Sequence, residues 1–258
     1  MRSANFKTLV LFLRVLALCL PGWAAKAETL VLQGDEDYPP ISYLRDGKVA
    51  GVLPAILRRV EPLTGDRYVL QAGPWSRVYA LGLRGEGGIY QLSFNQERAA
   101  LFDYSKPYFS DDIQIVTLKE RSFPFQGLQD LQGKRIGGIS GASYGQEVDQ
   151  AIAQGLFTVD RDVGQVGRLR KLLAGRLDAA FIGNGHAGVE RLFASSEVLR
   201  SQRDRFVILP VPVARDPLHL AFAKSMHQRP ALDRFDAAIA QLQKSGELAR
   251  IVGNEARR

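Results

Sequence analysis

The sequence contains very little cysteine and histidine. Cys19 is the only cysteine among 258 residues, and the three histidines are far apart. Since Cys19 lies in a segment that we expect to be removed, the mature chain has no disulfide and no thiol chemistry. The histidines lack the spacing of metal ligands, and the chain has neither a glycine-rich phosphate loop nor a Gly-x-Ser-x-Gly motif. We therefore predict no metal, no cofactor and no catalytic residue.

Long apolar runs are also missing, except near the N-terminus. There a basic start precedes an apolar stretch at residues 8–20, and Ala25-Lys26-Ala27 has the small-x-small pattern of a cleavage site. The stretch is too short to span a membrane as a helix. We therefore predict that residues 1–27 are a cleaved signal peptide and that the mature protein is periplasmic.

A strong charge of one sign is absent from the mature chain. The formal charge of the whole sequence is +7, but four of the 34 basic residues and none of the 27 acidic ones lie in the predicted signal peptide. The mature charge is therefore only +3, and its basic residues are dispersed rather than clustered. This pattern gives no indication of nucleic acid binding, and no later apolar run is long enough to cross a membrane.

What the chain does contain is an alternation of strand-like and helix-like segments, which predicts α/β architecture with mostly parallel sheets. The alternation occurs twice, which predicts two lobes. Lobe 1 is expected to comprise residues 28–115 and 212–258, and lobe 2 residues 116–211. Apolar segments at residues 113–117 and 209–214 are the candidate strands that cross between the lobes. Ser143 and Gln146 are expected to form a capping box that opens a helix ending near Gln154.

Arg98 is the residue around which the functional interpretation is built. It follows a strand-like segment at residues 87–95, and ligands of open α/β sheets bind at the carboxyl ends of strands. Its planar guanidinium suits a carboxylate or phosphate. The alternative is a structural arginine that pairs with Asp103 or another neighbour. Ser93 and Asn95 share one face if the strand continues, and the helix start at Ser143 offers free N–H groups to an anion or is only a cap.

Several short motifs, in order along the chain, resemble those of the periplasmic extracellular solute-binding proteins of the polar amino acid type, family 3. They are Tyr38-Pro-Pro-Ile-Ser-Tyr43, Phe102-Asp-Tyr-Ser-Lys-Pro-Tyr108, Leu131-Gln-Gly-Lys134 and Gly175-Arg-Leu-Asp-Ala179. The resemblance covers essentially the whole mature chain. It implies the two-lobed periplasmic-binding-protein type II fold, in which each lobe is a mostly parallel sheet flanked by helices and two crossing strands join the lobes.

The resemblance also implies a ligand site. In the family an aromatic residue packs on the ligand, a Ser or Thr and an Arg bind its α-carboxylate, and an acid on the second lobe holds its α-ammonium. By position, Trp75 matches the packing aromatic, although a simple core role is the alternative, and Ser93 and Arg98 match the carboxylate clamp. The predicted ligand-binding residues are Asp35, Tyr38, Trp75, Ser93, Asn95, Arg98, Ser143 and Asn184.

Two departures from the family pattern bear on the ligand. Gly183 stands where the second-lobe acid is expected, and Ala142 replaces the usual threonine. A buried ammonium without an opposite charge costs several kcal/mol. Asn184 accepts a hydrogen bond but carries no charge, so the sequence favours a carboxylate without an amino group over an α-amino acid, unless Asp35 reaches the ammonium from the first lobe.

The predicted function is non-enzymatic. A monomeric periplasmic protein is expected to close over a small anionic or zwitterionic metabolite, an amino acid or an organic acid, and to deliver it to an inner-membrane ABC permease. One alternative is an orphan ligand sensor without a permease. The other is a dehydratase-like or hydrolase-like enzyme on the same scaffold with Glu97 or Asp35 as its acid, for which the sequence shows no convincing acid–base pair.

Overall fold

The computed structural model describes residues 27–257. The predicted signal peptide therefore lies outside the described residues, apart from Ala27. The strands are β1 (Thr29–Asp35), β2 (Asp37–Tyr38), β3 (Ser42–Arg45), β4 (Lys48–Ala50), β5 (Arg67–Gly73), β6 (Gly88–Ser93), β7 (Phe102–Tyr104), β8 (Phe109–Leu118), β9 (Arg135–Ile139), β10 (Thr158–Asp162), β11 (Ala179–Ile182), β12 (Phe206–Ile208) and β13 (Ala214–Ala223). The helices are α1 (Val52–Thr64), α2 (Trp75–Leu83), α3 (Gln96–Leu101), α4 (Gln146–Ala153), α5 (Gln165–Leu173), α6 (Gly185–Ser195), α7 (Glu197–Ser201), α8 (Arg229–Lys244) and α9 (Glu247–Arg257).

One continuous sheet organises the chain. Its strand order is β10-β9-β11-β8-β13-β6-β1-β5, with β12 beside β8 and β7 beside β13, and β2, β3 and β4 form a small separate sheet. The pairs β1–β5, β1–β6, β9–β10 and β9–β11 are parallel, whereas β8 and β13 pair antiparallel to each other. We call β5, β1, β6, β7 and β13 the first sheet half, and β10, β9, β11, β8 and β12 the second sheet half. The predicted α/β class with two mostly parallel halves is confirmed.

The two halves are joined by a pair of connecting strands. The first part of β8 pairs with β13, and its later residues pair with β11 and β12. The return connection runs beside it, because the Leu209 and Val213 N–H groups donate to the Ile115 and Ile113 carbonyls at 2.9 and 2.8 Å. Both connections lie at the segments that the sequence predicted to cross. The lobe boundaries given above stay predictions.

Each half has its own apolar core. In the first half, residues from β1, β6 and α1 pack with Phe222 of β13 and Phe235 of α8. In the second half, Phe157 and Phe181 pack on one face of the sheet, and Phe193 and Phe206 on the other. Strand β6 is buried along its whole length, as expected for a strand covered on both faces. The rigid halves therefore hold the loops at their strand ends in fixed positions.

The segment around Ser143 differs from the sequence prediction. Helix α4 begins at Gln146, its N-cap is Gly145, and Gly145 has a φ of 90°, which favours glycine. Ser143 lies before the helix and its hydroxyl donates to Asp149 instead. The predicted capping box is therefore wrong, because the side chain of Asp149 in the first turn draws the preceding loop onto the helix.

Candidate ligand-binding cleft

A cavity lies between the two sheet halves, at the carboxyl ends of β1, β6 and β9. Its volume is about 50 Å³, which is room for a few water molecules. Five of the predicted site residues line it: Asp35, Tyr38, Trp75, Ser93 and Ser143. Asn95, Arg98 and Asn184 are not part of its lining. The structure therefore brings five of the predicted residues together around one space, and in a closed arrangement.

Three buried carboxyl groups line this cavity. Asp35, Asp111 and Asp216 are 5%, 3% and 4% exposed. Burial raises the pKa of Asp35 to about 6, that of Asp111 to about 6 and that of Asp216 to about 7, because removal from water disfavours the charged form. Among the described residues, none of those lining the cavity is a lysine, arginine or histidine. The cavity is therefore acidic in character.

Asp111 of β8 holds the two sheet halves together through its carboxyl oxygens. The Tyr38 hydroxyl donates to its Oδ2 at 2.5 Å, and the Asn184 backbone N–H donates to its Oδ1 at 2.6 Å. The Asn184 side-chain amide donates to the Pro39 carbonyl. Tyr38 and Asn184 therefore connect the loop after β1 to the loop after β11 through one carboxyl group.

Gly183 leaves the space that Tyr38 fills. A Cβ atom at this position would lie 1.5 Å from the Tyr38 Oη and 2.8 Å from the Asp111 Oδ2. No side chain fits at residue 183 while Tyr38 donates to Asp111. The acid that the family pattern expects here is thus replaced by a phenol that comes from the other side of the cleft.

Asp216 and Trp75 each present a buried polar atom without a protein partner. Ser93 Oγ donates to Asp216 Oδ2 at 2.6 Å, whereas Asp216 Oδ1 and Trp75 Nε1 have no hydrogen bond within the described part of the chain. One of these atoms is an acceptor and the other is a donor. Buried polar groups are usually hydrogen-bonded, so the pair marks where a bound molecule would complete the site.

Arg98 is buried beside the cavity rather than in its wall. Its Nη1 donates to the Ser93 carbonyl at 3.2 Å and its Nη2 to the Gly141 carbonyl at 2.9 Å. The guanidinium lies over the Tyr79 ring, with the central carbon 4.9 Å from the ring centroid. It lines a second, more open cavity of about 300 Å³ that shares Ala142 and Ser143 with the first. Arg98 therefore joins the sheet halves and also faces a space for an anion.

Asn95 makes a second polar connection between the sheet halves. Its Oδ1 caps α3 by accepting the Arg98 backbone N–H at 2.8 Å. Its amide donates to Ser143 Oγ at 3.2 Å and to Asp149 Oδ2 at 3.0 Å. Asn95 and Ser143 thus meet across the cleft, at the side where Ser143 lines both cavities.

Comparison with known proteins decides the family. Residues 30–254 match the bacterial extracellular solute-binding proteins, family 3. The chain belongs to this family. Among curated relatives, the L-cystine-binding protein TcyJ of Escherichia coli K12 is 27% identical over 225 residues, which are 85% of this chain and 79% of that protein. The probable amino-acid-binding protein YxeM of Bacillus subtilis is 22% identical over 228 residues, 82% of this chain and 78% of that protein.

Solved structures support the fold of this family member. A histidine kinase sensor domain with similarity to periplasmic binding proteins has a TM-score of 0.72 at 22% identity, covering 88% of this chain and 95% of that chain. The arginine-, lysine-, histidine-binding protein ArtJ of Geobacillus stearothermophilus has a TM-score of 0.70 at 21% identity, covering 89% and 96%. The predicted periplasmic-binding-protein type II fold is thus confirmed. The matched family is one of solute-binding proteins. Within residues 27–257 no helix is long and apolar enough to cross a membrane.

Sequence reasoning missed two carboxyl groups that line this cleft, Asp111 and Asp216. Both interrupt segments that are otherwise rich in strand-forming apolar residues, Asp111-Asp-Ile-Gln-Ile-Val116 and Asp216-Pro-Leu-His-Leu220. A charged residue inside such a segment needs a partner or a function. That signal was present, but which strands pair, and in which register, is not visible in the sequence.

We expect replacement of Arg98 to destabilise the closed protein. Hydrogen bonds from charged groups contribute about 1.5–3 kcal/mol each, and Arg98→Ala removes those to the Ser93 and Gly141 carbonyls. Urea unfolding should show a loss of about 3–6 kcal/mol in the free energy of unfolding, the sum for the two bonds. The control is Arg215→Ala, whose side chain is 77% exposed and should change stability by less than about 0.5 kcal/mol. Equal losses in the two variants would show that Arg98 does not join the sheet halves.

Proposed function

We propose that this family 3 protein is a monomeric periplasmic solute-binding protein, exported by a signal peptide at residues 1–27, that closes over a small zwitterionic metabolite. It would deliver this solute to an inner-membrane ABC permease. The solute class is an amino acid or a similar compound that carries both an amino group and a carboxylate. Relatives whose names state L-cystine or amino acid binding support this class.

The observation that carries the proposal is the pair of unpartnered polar atoms in the cavity. Asp216 Oδ1 accepts a hydrogen bond and belongs to a carboxyl group, so it suits an ammonium. Trp75 Nε1 donates one, so it suits a carboxylate oxygen. A solute with only one of these groups would leave a buried atom unsatisfied, at a cost of about 1–3 kcal/mol.

Arg98 supplies the charge for the carboxylate end. Its guanidinium faces the second cavity, and only Ala142 and Ser143 are shared between that space and the first cavity. When Asn95 and Ser143 separate, the two spaces form one cleft with carboxyl groups at its inner end and Arg98 at its outer end. A zwitterion lying along this cleft meets an opposite charge at each end.

This proposal revises the sequence-based preference for an organic acid without an amino group. That preference followed from the absence of an acid at Gly183. Asp111 and Asp216 provide carboxyl groups within the same cavity, so the ammonium no longer lacks a counter-charge. Asp35, which the sequence offered as the substitute acid, lines the cavity too, and its Oδ1 accepts the Asp37 N–H at 2.9 Å.

A binding screen tests the proposed solute class. The mature protein is screened by thermal shift against the standard amino acids and L-cystine, each beside the corresponding acid without an amino group, and the hits are measured by calorimetry. We expect tight binding only among the compounds that carry an amino group. A screen in which organic acids bind and no amino acid does would overturn the proposal.

A further inference from the structure

We propose that the amino group of the solute binds to a carboxyl pair, Asp111 and Asp216 on the two connecting strands, and displaces a proton that this pair holds in the empty protein. The inference rests on the proposed function, because it concerns the amino end of the same solute. It places the ammonium site on the strands that join the sheet halves and not at the position of Gly183, where the family pattern has its acid.

The register of the connecting strands makes these residues a pair. Asp111 of β8 lies directly opposite Asp216 of β13 in the antiparallel ladder. Directly opposite residues project from the same face, with Cβ atoms about 4.5–5.5 Å apart, and like charges in this arrangement are destabilising. Both side chains line the inner cavity and are almost fully buried. Two carboxylates placed in this way require either a proton or a cation between them.

The groups that face the pair do not supply that cation. The ionisable groups that influence the pair are Tyr38 and Asp112 at Asp111, and Arg98 and Asp149 at Asp216. Asp35 and Tyr144 line the same cavity. Arg98 is the one cation of this described set, and it lowers the pKa of Asp216. Burial and Asp111 raise that pKa by more than Arg98 lowers it. The Nη1 and Nη2 groups of Arg98 also donate to backbone carbonyls. In the empty protein near neutral pH the pair therefore keeps one proton.

The hydrogen bonds of the pair point to the contact atom. Asp111 accepts from the Tyr38 hydroxyl at one oxygen and from the Asn184 N–H at the other. Asp216 accepts from Ser93 at Oδ2 only, and its Oδ1 is buried without a partner. The ammonium therefore donates to Asp216 Oδ1, and Asp111 provides the second negative charge. The proton that the pair held leaves to bulk water as the ammonium arrives.

Gly183 and Tyr38 explain why the acid stands on the connecting strands. The position in the second sheet half has no room for a side chain, since Tyr38 occupies it. The Tyr38 hydroxyl donates a hydrogen bond to Asp111, which lies on β8 beside that position. The solute therefore binds to the strands that connect the two sheet halves, which links binding to the contact between the halves.

The experiment combines the empty protein with matched probes. Carbon-13 NMR of the aspartate carboxyl groups gives the protonation of Asp111 and Asp216 without any solute, and we expect one of them to titrate above about pH 6. Calorimetry then uses L-cystine, L-arginine and L-alanine as probes. Dithiodipropionate, which corresponds to L-cystine without its amino groups, is the control compound. For the tightest amino acid probe, titration in buffers of different ionisation enthalpy should show proton release near pH 6, and affinity should rise with pH to about 8.

Asp216→Asn is the decisive variant, and Asp103→Asn is its matched control on a half-buried aspartate of β7 that lies outside the cavity lining. We expect Asp216→Asn to weaken the amino acid probe at least tenfold, to abolish proton release and to leave the protein folded, whereas Asp103→Asn keeps both properties. If an amino acid binds but both carboxyl groups titrate below about pH 5, or the two variants bind alike, the carboxyl pair is not the ammonium site and the proposed function stands. If no amino acid probe or screened amino acid binds, the proposed function fails and this inference fails with it.

Discussion

We expect Gly183→Ala to hold the cleft open and to weaken solute binding by about 100-fold or more. The added methyl carbon would lie 1.5 Å from the Tyr38 hydroxyl oxygen and 2.5 Å from its Cζ, so Tyr38 must leave Asp111. Overpacking costs about 1–3 kcal/mol, and a lost hydrogen bond to a charged group costs about 1.5–3 kcal/mol. The two costs sum to about 2.5–6 kcal/mol. A cost of about 2.7 kcal/mol already corresponds to a 100-fold loss of affinity.

Two measurements report the open state of Gly183→Ala. Small-angle scattering should give a larger radius of gyration than the parent protein. Trp75 should report a more polar environment in its emission, because Trp23, the other tryptophan, lies in the predicted signal peptide. Calorimetry with the amino acid found by the screen gives the affinity directly.

Two controls separate the clash from a general effect of adding a methyl group. Gly167 lies in α5, with no atom within 4 Å of an added Cβ, so Gly167→Ala should bind like the parent protein. In a Tyr38→Ala background, Gly183→Ala should add little, because the two changes act on one contact. Unaltered affinity of Gly183→Ala in the Tyr38-containing protein would show that the phenol does not occupy this space during binding.

The fold could be predicted from the sequence because its determinants are local. Apolar periodicity and glycine-bounded turns indicate each strand and helix, and their alternation indicates parallel sheets. The short motifs indicated the family. The two crossing segments were predicted from the points at which the alternation of strands and helices begins again. All of this information lies within about twenty residues of each element, which is why β6 and β8 could be recognised without any knowledge of their neighbours.

The electrostatics of the cleft could not be predicted in the same way, because they depend on pairing between distant strands. In the sequence, Asp111 and Asp216 are only charged residues beside apolar segments, and they become a pair only through the register of β8 and β13. Gly183 was interpreted as the loss of an acid, whereas the structure shows it as room for Tyr38. Arg98 was expected in the cavity wall, and its burial against the Gly141 carbonyl depends on how closely the sheet halves approach.

The carboxyl pair also makes the stability of the empty protein depend on pH in a distinctive direction. Burial and Asp111 raise the pKa of Asp216 from 3.8 to about 7. Between these values the native state binds more protons than the unfolded state, so the free energy of unfolding falls as pH rises. Stability that is present below about pH 4 is lost as pH passes through about 7. Asp35 and Asp111, whose pKa values burial raises to about 6, act in the same direction.

Asp216→Asn should remove the part of this dependence that Asp216 contributes, leave that of Asp35 and Asp111, and stabilise the empty protein at neutral and alkaline pH. Each pKa unit corresponds to about 1.4 kcal/mol, so the rise to about 7 corresponds to about 4 kcal/mol. Urea unfolding at about pH 4 should give similar free energies for the parent protein and the variant. At about pH 8 the variant should be more stable by up to about 4 kcal/mol, although it binds the solute less tightly, which is the expected trade-off at a functional site.

The pH-dependent difference between parent and variant isolates Asp216, because the other ionisable groups titrate in both proteins and largely cancel. His219 is one such group. Burial lowers its pKa, but this contribution is common to the parent protein and the variant. Asp103→Asn serves as the control and should show no difference that grows with pH. A difference between Asp216→Asn and the parent that stays constant from about pH 4 to about pH 8 would mean that Asp216 is ionised throughout in the native state, and the connecting strands would then carry a permanent negative charge rather than an exchangeable proton.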